Sequence, residues 1–375
     1  MSVLSGVYGH VAALRRARYA RHPGRRRALH APVISVGNLV VGGSGKTPVV
    51  AALARLLIAA GERPAILSRG YGRRGIAPPG VVVVSDGCAS LVAPLVAPLV
   101  PTRESGDEPQ MLARSLEGVP VLVCADRHLA GRLAEERLGA TVHLLDDGFQ
   151  HLPLARDVDL LLMAPGDLDE RLLPSGRLRE PLTAAAAADA VMVPGTAADA
   201  AAVAARLGAG TAFYLESHYG DLLRVEPLGA PLVPALDPPL TPRRVVAVAA
   251  IARPARFFTA LAEGGWDVRR EITFRDHHWF SPGDVARIEA IAREVDADLI
   301  LTTEKDAVRL EGLVSGGPDK ARPTGAADVH VVRTLSGPLW AYLPMTVGVE
   351  PAAAFREWLL ARLDAARANR QAVSQ

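Results

Sequence analysis

A glycine-rich stretch at residues 40–50, VVGGSGKTPVV, places the strongest constraint on how this chain can fold. It joins the apolar segment APVISVGN, which is typical of a buried strand, to TPVVAALARLLIAAG, which is typical of a helix, and a phosphate-binding loop requires this context. Its glycines let the backbone approach an anion, Lys46 can reach the terminal phosphates of a nucleotide, and Thr47 can ligate Mg²⁺. Val40 stands where the usual pattern G-x-x-x-x-G-K-[ST] has its first glycine. The predicted phosphate-binding residues are Gly42, Gly43, Ser44, Gly45, Lys46 and Thr47.

The rest of the chain continues the alternation of short apolar strands with helices. This alternation is typical of an α/β fold, in which a parallel sheet is covered by helices on both faces. We therefore predict a P-loop NTPase-like lobe, a proline-rich hinge, and a second, smaller α/β lobe. The predicted boundaries are 1–30 for a basic N-terminal segment, 31–215 for the P-loop lobe, 216–243 for the linker and 244–375 for the second lobe.

The motif TVHLLDDGFQH supplies acidic residues for the expected nucleotide site. Apolar residues precede Asp146 and Asp147, so both acids are expected at the carboxyl end of a strand, where ligands bind in open α/β sheets. One of these aspartates is expected to hold Mg²⁺, directly or through a water molecule. The alternative is a solvated loop with two acids.

Two further motifs carry groups suited to acid–base chemistry. TRESGDEPQML places Asp107 and Glu108 in a loop before a helix, where a carboxylate can accept a hydroxyl proton or can simply cap the helix. FRDHHWF places His277 and His278 beside an aspartate in the second lobe. Adjacent histidines in a strand point to opposite faces, so at most one is expected to enter a site, and both can instead be ordinary surface or core residues.

The N-terminal segment differs from the rest of the chain in charge. Residues 1–61 contain nine Lys or Arg and no Asp or Glu, and seven of the nine are arginines between Arg15 and Arg27. They follow an apolar stretch with helical spacing, which indicates a basic amphipathic helix suited to an anionic membrane surface. A signal peptide would have its basic residues first, and a bilayer-spanning helix would need a longer apolar run. A solvated basic helix is the alternative.

Composition excludes several other classes. Aromatic residues make up 5% of the chain and no nucleic-acid-binding module is visible, so no nucleic-acid partner is expected. Two cysteines, Cys88 and Cys124, are too few and too far apart for a disulfide framework or a thiolate metal site. A reducing, cytosolic compartment fits this cysteine content.

Together these motifs resemble the tetraacyldisaccharide 4'-kinase family, the lipid A 4'-kinases of Gram-negative bacteria. The resemblance runs nearly end to end, and a series of motifs in this order is far more specific than a phosphate-binding loop alone. The family's loop also lacks the strict first glycine, so Val40 agrees with it. The motifs are LSGVYGHVAALRR, SVGNLVVGGSGKTP, SRGYGRR, SGDEPQML, DDGFQH, LLPSGRLREP, FRDHH and TTEKDAVRL.

The resemblance implies a kinase that transfers the γ-phosphate of ATP to the 4'-hydroxyl of a lipid A disaccharide 1-phosphate, at the cytoplasmic face of the inner membrane. ATP and Mg²⁺ are the implied cofactors, and no obligate protein partner is expected. In this family the aspartate of the G-D-E-P motif is the candidate base, matched by Asp107, and the histidine of the D-H motif supports it, matched by His277. The matches to the family's phosphate and metal residues are Lys46, Thr47, Asp146 and Asp147.

The two-lobe arrangement adds an expectation about the mechanism. With the loop in one lobe and His277 in the other, the Asp107–His277 pair is expected to form only when the lobes close over ATP, which would limit hydrolysis by water. Family motifs also contain residues without an assigned role, namely Arg69, Gln150, His151, Glu180, Glu304, Lys305 and Asp306.

Two other functional classes remain open at the level of sequence. The phosphate-binding loop could belong to a membrane-docking P-loop ATPase switch that acts on protein partners, hydrolyses ATP slowly and has no need of FRDHH. A soluble small-molecule ligase of the P-loop type is a weaker alternative, because it would have no use for the arginine-rich N-terminus.

Overall fold

A computed structural model of the chain describes residues 3–71, 80–88, 99–226, 228–230, 232, 244–314 and 338–374. Within these residues the chain divides into two compact units. The first comprises Met1–His218 together with Thr346–Gln375, and the second comprises Tyr219–Met345. Much of the predicted linker, 216–243, lies outside the described residues.

The described residues form both strands and helices along the whole chain. The strands are β1 (Val33–Asn38), β2 (Pro64–Ser68), β3 (Val82–Asp86), β4 (Pro120–Val123), β5 (Val142–Asp146), β6 (Val158–Leu162), β7 (Ala190–Pro194), β8 (Ala212–Tyr219), β9 (Leu223–Arg224), β10 (Arg244–Ala249), β11 (Asp267–Thr273), β12 (Leu299–Thr303), β13 (Leu339–Leu343) and β14 (Met345–Glu350). The helices are α1 (Val3–Arg21), α2 (Lys46–Ala59), α3 (Thr102–Ser105), α4 (Asp107–Ser115), α5 (Arg127–Leu138), α6 (Ala197–Leu207), α7 (Pro254–Glu263), α8 (Pro282–Glu294), α9 (Glu304–Leu310) and α10 (Ala352–Ser374).

The first unit is built on a nine-stranded sheet with the order β14-β8-β7-β6-β1-β5-β2-β4-β3. β1 lies inside it, between β5 and β6, and pairs with both in parallel. β3 is antiparallel to its neighbour β4. The strands β1, β2, β5 and β6 are buried along their whole length, as expected for parallel strands covered on both faces. The loop after β1 and the turn after β5 therefore leave the sheet side by side.

The second unit is built on a five-stranded sheet with the order β11-β10-β12-β13-β9. β10 to β13 pair in parallel, and the short β9 is antiparallel to β13. The core of this unit contains Phe257, Phe258 and Leu261 of α7 packed with apolar residues of the strands. The α/β fold class predicted from the sequence is confirmed by these two sheets.

The C-terminal region differs from the predicted boundary, which assigned 244–375 to the second lobe. β14 extends the first sheet beside β8, and α10 inserts Phe355, Leu359 and Leu363 into the core of the first unit. Because both elements bury their apolar residues there, Thr346–Gln375 belongs to the first unit. The N-terminal helix α1 also belongs to the first unit.

Candidate active site

The phosphate-binding loop connects β1 to α2 in the first unit. Gly45 is the N-cap of α2 with φ of 80°, and Gly42 has φ of 102°. Both conformations lie in the left-handed region that glycine adopts without steric cost. The loop therefore turns tightly into the amino terminus of α2, where N–H groups and the helix dipole favour an anion.

Val40, at the place of the usual first glycine, is part of the core. Its side chain is fully buried and packs in a cluster with Leu39 and Phe149. Its backbone forms an antiparallel bridge with Leu178. The departure from the common pattern thus exchanges a glycine for a packing residue and leaves the glycines at 42, 43 and 45 in the loop.

Lys46, the first residue of α2, is held over the loop by polar groups. Its ammonium donates to Asn38 Oδ1 at 3.3 Å and to Ser44 Oγ at 3.2 Å, and lies 3.4 Å from Asp147 Oδ1. The Lys46 side chain is only 15% exposed. Three neighbouring polar side chains therefore hold the lysine at the loop.

Asp147 forms the turn after β5, with φ of 55°. Its two carboxylate oxygens accept hydrogen bonds from the Arg179 guanidinium at 2.9 and 2.8 Å. Burial by itself would raise the pKa of Asp147, but the hydrogen bonds from Arg179 and the charge of Lys46 outweigh it and lower that pKa. Asp147 is therefore ionised and lies between two cations.

Asp146, the last residue of β5, is in a different electrostatic environment. It is 6% exposed and lies beside Val36 of β1. Burial raises the pKa of Asp146 to about 7, and the charge of Glu108 adds to this effect while Lys46 opposes it. The ionised form of Asp146 thus has too little positive charge around it, a condition that a bound divalent cation relieves.

Asp107, the predicted base, begins α4 and is fully buried. Gly106 holds the N-cap position, so Asp107 lies in the first helical turn and does not cap the helix. Gly106 has φ of 96°, and a Cβ atom at this position would lie 2.7 Å from the Tyr71 carbonyl oxygen. This junction therefore requires glycine, and the glycine places Asp107 in the first turn of α4, at the amino terminus of the helix.

His278 is part of the internal packing of the second unit. Its Nε2 lies 3.2 Å from Asp284 Oδ2, and its ring stacks on Phe274 with centroids 4.6 Å apart. Asp284 also accepts hydrogen bonds from Ser281 at the start of α8. The position of His278 is explained by these contacts.

His277 lies in a polar cluster of the same unit. It has φ of 59°, its Nδ1 lies 2.8 Å from Arg309 Nη2, and its Nε2 lies 3.1 Å from Lys305 Nζ. Lys305 is also bonded to Asp276 at 3.3 Å. Of the two histidines, His277 therefore contacts two cationic side chains, whereas His278 contacts an aspartate and an aromatic ring.

Comparison with known proteins places this arrangement in a family. Residues 1–364 match the protein family described as Tetraacyldisaccharide-1-P 4'-kinase. The chain belongs to this family. The resemblance predicted from the motifs is thereby confirmed.

Curated relatives named Tetraacyldisaccharide 4'-kinase cover most of the chain. The protein of Geobacter metallireducens is 42% identical over 323 residues, which is 84% of this chain and 89% of the relative. The protein of Koribacter versatilis is 42% identical over 332 residues, again 84% and 89%. A crystal structure of LpxK from Aquifex aeolicus in complex with ATP has a TM-score of 0.69 and 29% identity, covering 96% of this chain and 97% of that chain. The chain is therefore a phosphotransferase.

Asn38 and Arg179, which hold Lys46 and Asp147 in place, were not predicted from the sequence. Asn38 accepts a hydrogen bond from Lys46 through Oδ1, and both its Oδ1 and its carbonyl oxygen accept from Arg179. The motif containing Arg179, LLPSGRLREP, did point to this segment, but nothing in its spacing showed that it reaches Asp147, 32 residues away.

A second unpredicted feature of the first unit is a group of buried cationic side chains. Arg127 is 4% exposed, and burial, followed by the charge of Arg69, lowers its pKa to about 10. Burial and the charges of Arg127 and Arg156 lower the pKa of His151 to about 4. Among the described residues, Arg127 Nε and His151 Nε2 are buried without a hydrogen-bond partner. This part of the unit therefore favours a neutral His151.

α1 packs on the first unit through its small and basic residues. Ser5 is buried and donates to the Leu172 carbonyl oxygen at 3.1 Å. Arg16 donates to both Glu180 oxygens at 2.6 and 2.8 Å, and its guanidinium lies 4.2 Å from the Phe149 ring centroid. A bidentate, largely buried ion pair of this kind anchors the helix.

The opposite face of α1 exposes its apolar residues. Leu4 is 67% exposed, Val7 58% and Val11 59%. A pocket of about 500 Å³ next to this face is lined by Val11, Leu14, Arg15, Arg18, Tyr19 and Arg25. Among the described residues, none of the helices combines the length and the apolar character needed to cross a bilayer.

Proposed function

We propose that this chain transfers the γ-phosphate of ATP to the 4'-hydroxyl of a tetraacyldisaccharide 1-phosphate in lipid A biosynthesis. The observation that carries the proposal is the fixed position of Lys46, held by Asn38, Ser44 and Asp147 at a glycine loop in a chain of this family. Phosphoryl transfer depends mainly on positioning and charge stabilisation, which such a preformed site supplies.

In this proposal the first unit binds ATP. The loop amides and the amino terminus of α2 bind the phosphates, and Lys46 stabilises the charge that develops between the β- and γ-phosphates. Arg179 keeps Asp147 ionised and oriented, and Asp147 in turn orients Lys46. The LpxK structure to which the chain is similar was determined with ATP.

The residues of the first unit also fit a Mg²⁺ ion. The raised pKa of buried Asp146 supports this, because a nearby cation would stabilise its ionised form, and Thr47 follows Lys46 in the first turn of α2. We propose that Thr47, Asp146 and Asp147 hold the ion, with Asp146 as the direct carboxylate ligand, because the oxygens of Asp147 already accept from Arg179. When bound, Mg²⁺ would neutralise charge on the phosphate oxygens.

Asp107 is the proposed general base. Its carboxylate takes the proton of the 4'-hydroxyl while the sugar oxygen bonds to the γ-phosphorus and the bond from that phosphorus to ADP breaks. Its burial and its place at the start of α4 support this role, because a desolvated, oriented carboxylate is an effective base. His277 of the second unit is proposed to support Asp107 during transfer.

We further propose that α1 docks the protein on the cytoplasmic face of the inner membrane as a peripheral protein. The exposed apolar face of α1 suits the acyl region, and Arg15, Arg18 and Arg25 around the adjacent pocket suit the phosphate of a lipid headgroup. The acyl chains of the acceptor can then remain in the bilayer during the reaction.

The proposed reaction is tested with ATP labelled at the γ-phosphate and purified protein in mixed micelles. A tetraacyldisaccharide 1-phosphate should become labelled, whereas the same disaccharide blocked at the 4'-hydroxyl should not. Label only in inorganic phosphate would instead support the ATPase switch that acts on protein partners. Label in a small soluble acceptor would support a ligase or another kinase.

Membrane docking is tested separately by flotation with vesicles that contain anionic phospholipid. Replacing Leu4, Val7 and Val11 together with serine should reduce vesicle binding by about tenfold or more, because each buried aliphatic side chain contributes about 1.5–3 kcal/mol. A control with Ile58, Leu99 and Leu129 replaced by serine removes comparably exposed apolar residues elsewhere and should bind normally. Equal loss in both variants would contradict the role of α1.

A further inference from the structure

Residues 172–180 of the first unit lie between α1 and the phosphate-binding loop. At one end of this segment, Ser5 Oγ of α1 donates to the Leu172 carbonyl oxygen at 3.1 Å. At the other end, Arg16 of the same helix donates to both carboxylate oxygens of Glu180 at 2.6 and 2.8 Å. The helix therefore contacts the segment at both of its ends.

The same segment forms hydrogen bonds with the residues that lead into the loop. The backbone N–H of Val41 donates to the Arg177 carbonyl oxygen at 2.8 Å. The backbone N–H of Arg179 donates to the Leu39 carbonyl oxygen at 2.6 Å. The Arg177 guanidinium also donates to the Val41 carbonyl oxygen, at 3.1 and 2.8 Å. A movement of residues 172–180 would therefore displace the start of the loop.

Arg16 joins the two stretches of chain that carry the Arg179–Asp147 ion pair. Its guanidinium binds Glu180, the residue after Arg179. It also donates to the carbonyl oxygen of Phe149, two residues after Asp147, at 3.1 Å, and it lies 4.2 Å from the centroid of the Phe149 ring. Arg16 thus holds a chain neighbour of each member of that ion pair.

The ion pair between Arg16 and Glu180 is largely shielded from water. The Arg16 side chain is 14% exposed and that of Glu180 is 7% exposed. Removing one member of a buried ion pair leaves the other charge desolvated and unpaired, which is much less favourable than replacing both members. Without Arg16, the Glu180 carboxylate could regain water only if its segment moved, and Arg179 would move with it.

We propose that Arg16 is a positioning residue for nucleotide binding, which keeps Arg179 on Asp147 and so keeps the loop lysine in place. This inference rests on the proposed function, in which the loop binds ATP. Arg16 lies on the face of α1 that packs on the first unit, whereas the exposed apolar face is the one proposed to dock on a bilayer. The helix therefore has a second role at the nucleotide site, and substitutions can separate the two roles.

ATP binding in the absence of lipid tests the positioning role. Calorimetry of the full-length protein in detergent should show about tenfold weaker ATP binding in Arg16→Met, the scale for losing hydrogen bonds between charged groups. Arg16→Lys keeps the charge and should recover part of the affinity. The control Arg132→Met breaks an exposed Arg–Glu pair with Glu136 in α5 and should bind ATP as wild type does. Wild-type affinity in folded Arg16→Met would contradict the proposal.

A double variant tests whether the unpaired charge of Glu180 is the cause. Arg16→Met combined with Glu180→Gln removes both charges, so the segment has less reason to move towards water. The double variant should bind ATP at least about threefold more tightly than Arg16→Met alone, because a replaced pair is less unfavourable than a broken one. Equal or weaker binding by the double variant would contradict this explanation.

The state of the loop can also be measured without nucleotide. In protein labelled with ¹⁵N-glycine, the amide signals of Gly42, Gly43 and Gly45 are identified by their loss in the corresponding alanine variants. These signals should shift in Arg16→Met and stay in place in Arg132→Met. Unchanged loop signals in Arg16→Met would overturn the positioning role and leave the proposed kinase function intact. Absence of ATP binding by the wild-type protein would instead contradict the proposed function, while the loop signals would still report the contact with α1.

Discussion

Two turns of the molecule share a pattern of charge but differ in chemistry. In the first unit Asp147, with φ of 55°, lies between Arg179 and Lys46. In the second unit His277, with φ of 59°, likewise lies between an arginine and a lysine. Each belongs to a pair of identical neighbours in the sequence, Asp146–Asp147 and His277–His278. In each pair the other member has different surroundings.

The difference follows from the number of lone pairs that each side chain offers. A carboxylate can accept from both cations, so the ionised form of Asp147 is stabilised and its pKa falls. A neutral imidazole can accept from only one, so the ring of His277 cannot accept hydrogen bonds from both cations at once. Arginine and lysine together therefore stabilise a full negative charge in the first turn, whereas in the second turn the ring can accept from only one of them.

The largest effect is expected at Asp107, the residue that the second turn is proposed to support. Asp107→Asn removes the base, so kcat should fall about 10²- to 10⁴-fold while the affinity for ATP changes little. Transfer kinetics and calorimetry with ATP measure the two quantities. Glu104→Gln changes an exposed acid of α3 and serves as the control. Normal turnover in Asp107→Asn would remove this residue from the chemistry.

Lys46→Ala should have the next largest effect, because it removes one cation of the first turn. Transfer should slow by about 3 kcal/mol or more, or on the order of 10²-fold in kcat/KM, the scale for losing one main electrostatic stabiliser. The matched control is Arg55→Ala, which removes an exposed cation from the same helix. A rate near that of the control would exclude the loop from the mechanism.

Asp146 and Asp147 are expected to affect stability in opposite directions at pH 8. The pKa of Asp146 is raised, so the folded state binds its proton more tightly than the unfolded state, and stability falls as pH rises from about 4 to about 7. The pKa of Asp147 is lowered, so its contribution is present above the unfolded pKa of about 4 and is lost as pH falls below it.

Asp146→Asn should therefore raise the free energy of unfolding at pH 8, by up to about 4 kcal/mol, and Asp147→Asn should lower it. Urea unfolding without nucleotide or metal measures both variants at pH 8 and at pH 5. The gain in Asp146→Asn should shrink at pH 5, because the wild-type carboxyl is already protonated in the folded state. Destabilisation by Asp146→Asn at pH 8 would show that the two acids do not differ as described.

The smallest effect on transfer is expected at His278. His278→Asn removes the contact with Asp284 and the stacking on Phe274, so stability should fall by about 0.5–1.5 kcal/mol. The transfer rate should remain close to wild type, unlike that of His277→Asn. Thermal unfolding and the labelled-ATP assay measure the two effects. A loss of transfer equal to that of His277→Asn would mean that both histidines serve the reaction.

The parts of the fold and of the candidate site that could be predicted are those formed by consecutive residues. The α/β class and the loop before Lys46 could be read from the sequence because strand, loop and helix follow one another directly along the chain. Asp146 and Asp147 could be assigned to the same edge because strand ends share an edge in parallel sheets. The place of β14 and α10 in the first unit was not predictable, since an apolar helix at the end of a chain can pack on either sheet.

The sequence by itself therefore determined the fold class, the family and the residue types available for phosphate and acid–base chemistry. The tertiary structure alone decided the surroundings of each group, because protonation and orientation depend on partners brought together by folding. Arg179 reaches Asp147 from 32 residues away, and Arg309 reaches His277 from the same sequence distance. Local sequence patterns do not predict such contacts, because burial and charge act between residues that are close in space and distant in sequence.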